Sequence, residues 1–238
     1  MASATVQQVV ERTATKLNGE YEIIVESSDD FKTYLNVLNQ AMDNLAHTPY
    51  VKWQVFFDMN FTIGDVVNGT LSYDIPDYTG IKLGNSPFDF VYFVDGTGTV
   101  VAKYKIVDVA MFQSTTDTTV CAVASGKLYL KATETKIVGA TIRVPAYKDP
   151  ALYTSATQTV VIDSVPWLVC SMAAFIADSS PVPFIARNAD KFYKEATIYM
   201  KEMRENNRRT QALIVKKLSA PELHTWADVM NVMTIQDL

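Results

Sequence analysis

The stretch Ser164-Val165-Pro166-Trp167-Leu168-Val169-Cys170-Ser171-Met172-Ala173-Ala174-Phe175-Ile176-Ala177 decides how the chain is read. Ser164 is a natural N-cap, and Pro166 is tolerated in a first helical turn, where its missing N–H bonds nothing. The helix that follows is apolar nearly all round, so other elements must cover it on most sides. It is too short for a membrane span, which needs about 20 residues.

Toward the C-terminus, Ser179 to Pro183 break the helix, and the best amphipathic pattern in the chain follows. Ile185, Ala189, Phe192, Ala196, Tyr199 and Met203 alternate at spacings of four and three, opposite Lys191, Lys194, Glu195, Lys201, Glu202 and Glu205. Cationic residues gather near the end of this helix, and Arg204, Arg208 and Arg209 form a candidate electrostatic interface for an acidic partner. A solvated face complementing the helix dipole is the alternative. Ser219 and Glu222 then form a capping-box pair ahead of a short tail helix. Its stripe, Leu223, Trp226, Met230 and Met233, either folds back onto the helices or acts as an arm that orders on a partner.

Toward the N-terminus from Ser164 the period falls to two. Strands are expected at 50–57, 69–75, 88–94, 99–109, 119–123, 127–131, 136–144 and 158–162, with turn chemistry at Asp95-Gly96-Thr97-Gly98, Thr115 to Asp117 and Ser125-Gly126. Such short strands suggest an antiparallel sheet, sandwich or barrel. Before them come two helices. The first carries Val6, Val9, Val10, Thr13 and Leu17, and the second, capped by Ser28 and Asp29, carries Phe31, Tyr34, Leu35, Leu38, Met42 and Leu45. Between the two lies a brief apolar patch, Ile23 to Val25.

The expected fold class is therefore α+β, a helical bundle built from N- and C-terminal helices with a β-rich domain inserted between them. The divisions are an N-terminal helical pair (1–48), the β-rich domain (49–163), a C-terminal helical pair (164–217) and a tail (218–238).

Composition sets limits on function. The chain has 238 residues, 48% hydrophobic and 20% charged, with a formal net charge of −5. Size scaling allows burial of roughly 70% of the unfolded surface without a metal or disulfide staple. The acidic balance argues against a general phosphate-gripping surface. Cys121 and Cys170 are expected to be reduced thiols, and residues 1–10 show no signal-peptide pattern, which together suggest a cytoplasmic setting.

No catalytic, metal-binding or cofactor-binding residue is assigned. His47 and His224 have no partner motif for nucleophilic catalysis, and no CxxC, HExxH, EF-hand loop or GxSxG occurs. Gly96-Thr97-Gly98-Thr99 lacks the Lys and following helix of a phosphate loop and reads as a hairpin turn. The chain is not expected to be an enzyme.

The order of elements resembles the head-to-tail adaptor (connector) proteins of tailed bacteriophages, of the tail-tubular-protein-A kind found in short-tailed phages. The matching pieces are the helix with Leu38-Asn39-Gln40-Ala41-Met42-Asp43-Asn44-Leu45, the strand with Trp53, and Thr70-Leu71-Ser72-Tyr73-Asp74-Ile75-Pro76-Asp77. Leu128-Tyr129-Leu130, Ile142-Arg143-Val144-Pro145-Ala146-Tyr147 and the helices at 165–177 and 184–206 complete the likeness. The family pattern does not extend past Leu218.

The resemblance implies a structural virion protein at the head-tail junction, assembled in the host cytoplasm. It would form a homo-oligomeric ring, a dodecamer, beneath the portal protein and present a platform to a tail tube or nozzle protein. DNA would pass transiently through its channel, and no membrane would be involved. On this reading the stripe Leu223, Trp226, Met230 and Met233 is the portal-docking element. Another tail or neck component, or a carbohydrate-binding β domain on a helical base, is the alternative.

Overall fold

A computed structural model describes residues 2–48, 53, 56–58, 61–76, 81–82 and 89–218. These fall into two compact units, one drawn from Met1–Val55 and Pro150–Arg208, the other from Phe56–Asp149 and Arg209–Leu238.

The first unit opens with strand β1 (Ala2–Thr5), which turns directly into helix α1 (Val6–Asn18). Thr5 and Gln8 form a reciprocal capping box: Thr5 Oγ1 accepts from Gln8 N–H at 3.2 Å, and Gln8 Oε1 accepts from Thr5 N–H at 3.0 Å. Gly19 ends the helix in the left-handed region (φ 79°), its N–H donating to the Thr15 carbonyl at 2.8 Å. Helix α2 (Asp29–Ala46) starts at Ser28, whose hydroxyl accepts from Phe31 N–H at 3.1 Å. Asn39 on α2 makes a two-way bond with the backbone of Tyr153, donating to its carbonyl at 3.0 Å and accepting from its N–H at 2.8 Å.

After the second unit's strands the chain returns as β12 (Thr159–Ile162), which pairs antiparallel with β1, Ala2 opposite Ile162 and Thr5 opposite Thr159. Helix α4 (Val165–Ser179) follows, with Ser164 Oγ accepting from Trp167 N–H at 3.2 Å. Trp167, Leu168, Cys170, Met172, Ala173, Ala174 and Ala177 are all buried, because α1 and α2 both pack against this helix. Full burial of a side chain the size of Leu168 stabilises by about 1.5–3 kcal/mol. The short α5 (Pro183–Ala186) and the long α6 (Ala189–Leu218) end the described chain.

The second unit holds two sheets. The larger has seven strands in the order β3 (Thr62–Asp65), β10 (Thr141–Arg143), β6 (Phe90–Val94), β7 (Val100–Val107), β8 (Val120–Ala124), β9 (Lys127–Leu130), β4 (Ser72–Asp74). It is nearly closed, its two edge strands β3 and β4 coming into contact. Val91, Phe93, Tyr104, Leu128, Ile142 and Val144 fill its core, with the Phe93 and Tyr104 rings edge-on at 4.6 Å. The smaller sheet orders β2 (Phe57–Asp58), β11 (Ala146–Lys148) and β5 (Ile81–Lys82).

Two expectations are corrected. The pairing of β7 with β8 is parallel, so the large sheet is mixed rather than antiparallel. A parallel pair needs a crossover, and residues 108–119 supply it with helix α3 (Val109–Ser114), capped by Asp108 accepting from Met111 N–H at 2.8 Å.

The architecture itself also differs from a helical bundle of N- and C-terminal helices with a β-rich domain inserted between them. The first unit is itself α+β, because β1 precedes the first helix and pairs with β12, the strand expected to close the β domain. Helices do not merely bracket the strands, since α3 lies between β7 and β8, and α6 continues past Arg208 into residues grouped with the second unit. Ala2-Ser3-Ala4-Thr5 is short and small, too weak a period-two signal to announce a strand.

Candidate functional site

The sequence-derived site residues separate into two groups. Leu223, Trp226, Met230 and Met233, together with His224, lie outside the described residues. Arg204, Arg208 and Arg209 are exposed on α6, and Arg208 pairs with Glu205 one turn earlier at 3.1 Å. That pair is internal to the helix and of the kind that contributes little in water. His47 caps α2, its Nδ1 lying 2.9 Å from the Asp43 carbonyl. The turn at Asp95 to Thr99 is a hairpin loop, with Asp95 Oδ1 accepting from Thr97 N–H at 2.8 Å and Thr99 N–H at 2.9 Å.

The densest chemical cluster in the first unit is Lys16, Glu195 and Cys170, from α1, α6 and α4. Lys16 Nζ stands 2.5 Å from Glu195 Oε2, and the Cys170 thiol points at the same oxygen from 3.6 Å. The hydrogen bond from Lys16 holds the Glu195 carboxyl below its usual range. Burial tends to lower Lys16, and the Glu195 bond and neighbouring negative charge outweigh it, so its pKa is raised. Burial also pushes the Cys170 thiol up, the opposite of what an activated nucleophile needs. The cluster is an interhelical clip.

Beside it, an open cleft of about 420 Å³ runs along α1, lined by Gln8, Glu11, Arg12, Thr15, Lys16, Tyr21 and Val169. Its charged groups have mixed sign; Glu11 is held by Gln7 at 2.7 Å and Lys16 by Glu195. Among the described residues, no group of three or more His, Cys, Asp or Glu is placed to hold a metal ion. No helix among them is long and apolar enough to cross a membrane.

The first unit also exposes several large apolar side chains. Between α1 and α2, Tyr21-Glu22-Ile23-Ile24-Val25 belong to no helix or strand. Ile24 is buried, its carbonyl accepting from Gln7 Nε2 at 2.7 Å, while Tyr21, Ile23 and Val25 are 71%, 67% and 61% exposed. Farther along the chain, Phe184 on α5 and Ile198 on α6 are 67% and 60% exposed. Contiguous apolar exposure marks interaction surfaces more often than scattered single residues do.

The sequence marks Ile23 to Val25 as an apolar patch and carries no sign that only Ile24 is buried. The Lys16, Glu195 and Cys170 cluster has no local signal, because its members lie on three separate helices. Comparison with protein-family models and with curated proteins returned no match.

Proposed function

We propose that the protein is a non-enzymatic structural component of a phage virion. In this reading it is a head-to-tail adaptor that assembles as a homo-oligomeric ring beneath the portal protein and receives a tail tube or nozzle protein. DNA passes transiently through the channel, and the site of action is the head-tail junction. The single observation that carries the reading is the exposure of large apolar side chains on the first unit, Tyr21, Ile23 and Val25 in one short segment and Phe184 and Ile198 farther along the chain. Ring-forming proteins use heterologous contacts, for which each copy needs two different faces. The resemblance in element order supports the particular kind of ring.

The carbohydrate-binding alternative gains nothing from Trp53 and Trp167, which are buried and offer no stacking platform. Mixing the purified protein with portal particles and imaging the product tests the adaptor reading: rings seated on portals are expected, and bare portals under all conditions would sink it. Truncation after Lys217 is expected to weaken that docking while the rest of the chain stays folded by circular dichroism.

A further inference from the structure

We infer that Asn68 is a site of spontaneous covalent modification, where the side-chain amide is lost through a succinimide and the main chain is rebuilt as isoaspartate, and that this change loosens the turn joining the two edge strands of the seven-stranded sheet. The chemistry needs no partner chain and is independent of the adaptor reading.

Asn-Gly occurs twice in the chain, at Asn18-Gly19 and at Asn68-Gly69. A glycine after asparagine leaves the following backbone nitrogen unshielded, because no Cβ stands beside it. Both pairs are exposed and open space surrounds both glycines, so access does not separate them. Their hydrogen bonds do. Gly19 N–H donates to the Thr15 carbonyl at 2.8 Å, and the Asn18 amide donates to Glu22 Oε2 at 2.6 Å, so both reacting groups are held at the last residue of α1. Asn68 and Gly69 instead lie in the turn between β3 and β4, closed by Thr70 N–H donating to the Val67 carbonyl at 3.0 Å, with Gly69 at φ 79°. Among the described residues, neither the Asn68 amide nor Gly69 N–H has a hydrogen-bond partner. The related pair Asp95-Gly96 is protected in another way. Asp95 Oδ1 accepts from the N–H groups of Thr97 and Thr99 and from the Thr97 hydroxyl, which keeps the group a carboxylate with nothing to expel.

The reaction consumes only water. The Gly69 nitrogen attacks Asn68 Cγ; the N–Cγ bond forms, the Cγ–Nδ2 bond breaks, and Nδ2 departs as ammonia with the proton that Gly69 gives up. Water then opens the ring at Cγ, giving aspartate, or at the main-chain carbonyl, giving isoaspartate. In isoaspartate the chain runs through Cβ and Cγ, one atom longer than before, and either product adds a negative charge.

The turn that receives this extra atom is closely tied. Besides its own closing bond, the Tyr73 hydroxyl lies 3.2 Å from Val67 N–H and 3.1 Å from the Thr70 carbonyl, and Val66 N–H donates to the Ala140 carbonyl at 2.9 Å. A longer path between Val67 and Thr70 disrupts that set, at the place where contact between β3 and β4 nearly closes the sheet.

The test ages the full-length protein in mildly alkaline buffer, native and in denaturant, and reads digests by mass spectrometry with fragmentation that separates isoaspartate from aspartate. In the native protein Asn68 should convert at least about tenfold faster than Asn18, because reaction at Asn18 must first open the last helical turn. In denaturant the two rates should converge. Asn68→Gln, whose longer side chain disfavours the ring, should abolish conversion at this position and leave Asn18 unchanged. The aged wild type should melt below the fresh protein, with no comparable loss in aged Asn68→Gln. Equal native rates, rates that stay apart in denaturant, an Asn68 amide that persists, or aspartate without isoaspartate overturns the modification site. Isoaspartate at position 68 with an unchanged melting midpoint overturns the loosening of the turn.

Discussion

Lys16 Nζ lies 2.5 Å from Glu195 Oε2, so a single ion pair ties the first helix of the chain to the last described one. The ring of Phe192, one turn before Glu195, lies 5.3 Å from the same ammonium, which therefore has both an anionic and an aromatic neighbour. The pair is partly exposed, and solvent screening limits its worth to about 1 kcal/mol. Glu195→Gln is expected to lower the unfolding free energy by about that amount. Together with Lys16→Met, a double-mutant cycle should return a coupling of similar size. A coupling indistinguishable from zero would show that the pair is incidental.

The same pair sets a pH window. The Glu195 pKa is depressed, so its contribution is present above the ordinary carboxylate value and is lost as pH falls through the lower folded value. The Lys16 pKa is raised, so its contribution is present below the ordinary amine value and is lost as pH rises through the higher folded value. The wild type minus Glu195→Gln stability difference should therefore be flat at neutral pH and shrink in acid, as chemical denaturation across pH would reveal. A difference that grows in acid contradicts the assignment.

Asn39→Ala removes both bonds to the Tyr153 backbone and leaves a part-buried N–H and carbonyl without their partner. A loss of about 1–3 kcal/mol is expected, read from urea midpoints. Asn39→Asp keeps the acceptor but sets a carboxylate oxygen against the Tyr153 carbonyl, so it should be at least as destabilising as Asn39→Ala. Equal stability of all three would mean that water replaces the amide at no cost.

Ser125 and Gly126 form the two-residue turn between β8 and β9, both with positive φ, 49° and 77°. A serine in the left-handed region is strained where asparagine or glycine is at ease. Ser125→Asn should raise stability by about 0.5 kcal/mol, measurable as an increase in Tm. A decrease would show that the serine hydroxyl has a role the backbone geometry does not reveal.

Burial raises the pKa of both Cys121 and Cys170. In the native protein at neutral pH, both thiols should react with a disulfide reagent far more slowly than after denaturation. A fast native phase from either would contradict its placement.

Much of the first unit was legible because its signals are local. The Ser164 and Ser28 caps and the stripe Val6, Val9, Val10, Thr13 and Leu17 announced three helices, and the apolar run beyond Ser164 announced a helix covered on most sides. What escaped depends on residues distant in sequence. Thr159 to Ile162 alternates as a strand should, yet nothing in it states that its partner is Ala2 to Thr5 instead of a neighbour in the sheet. Lys105 to Val107 likewise carries no mark that its next neighbour, β8, runs parallel. The α6 pattern showed its charged face, but the exposure of Ile198 followed only once the helix had chosen which side to bury.

The pairing of β1 with β12 also has a consequence in time. During synthesis Ala2 to Thr5 emerges well before its partner strand, which is not complete until Ile162 has been added. Every strand of the seven-stranded sheet is already on the growing chain by then, since its last member in sequence ends at Arg143. The second unit's sheet can therefore form while Ala2 to Thr5 still lacks its partner, and the pairing of β1 with β12 is a contact of long sequence separation.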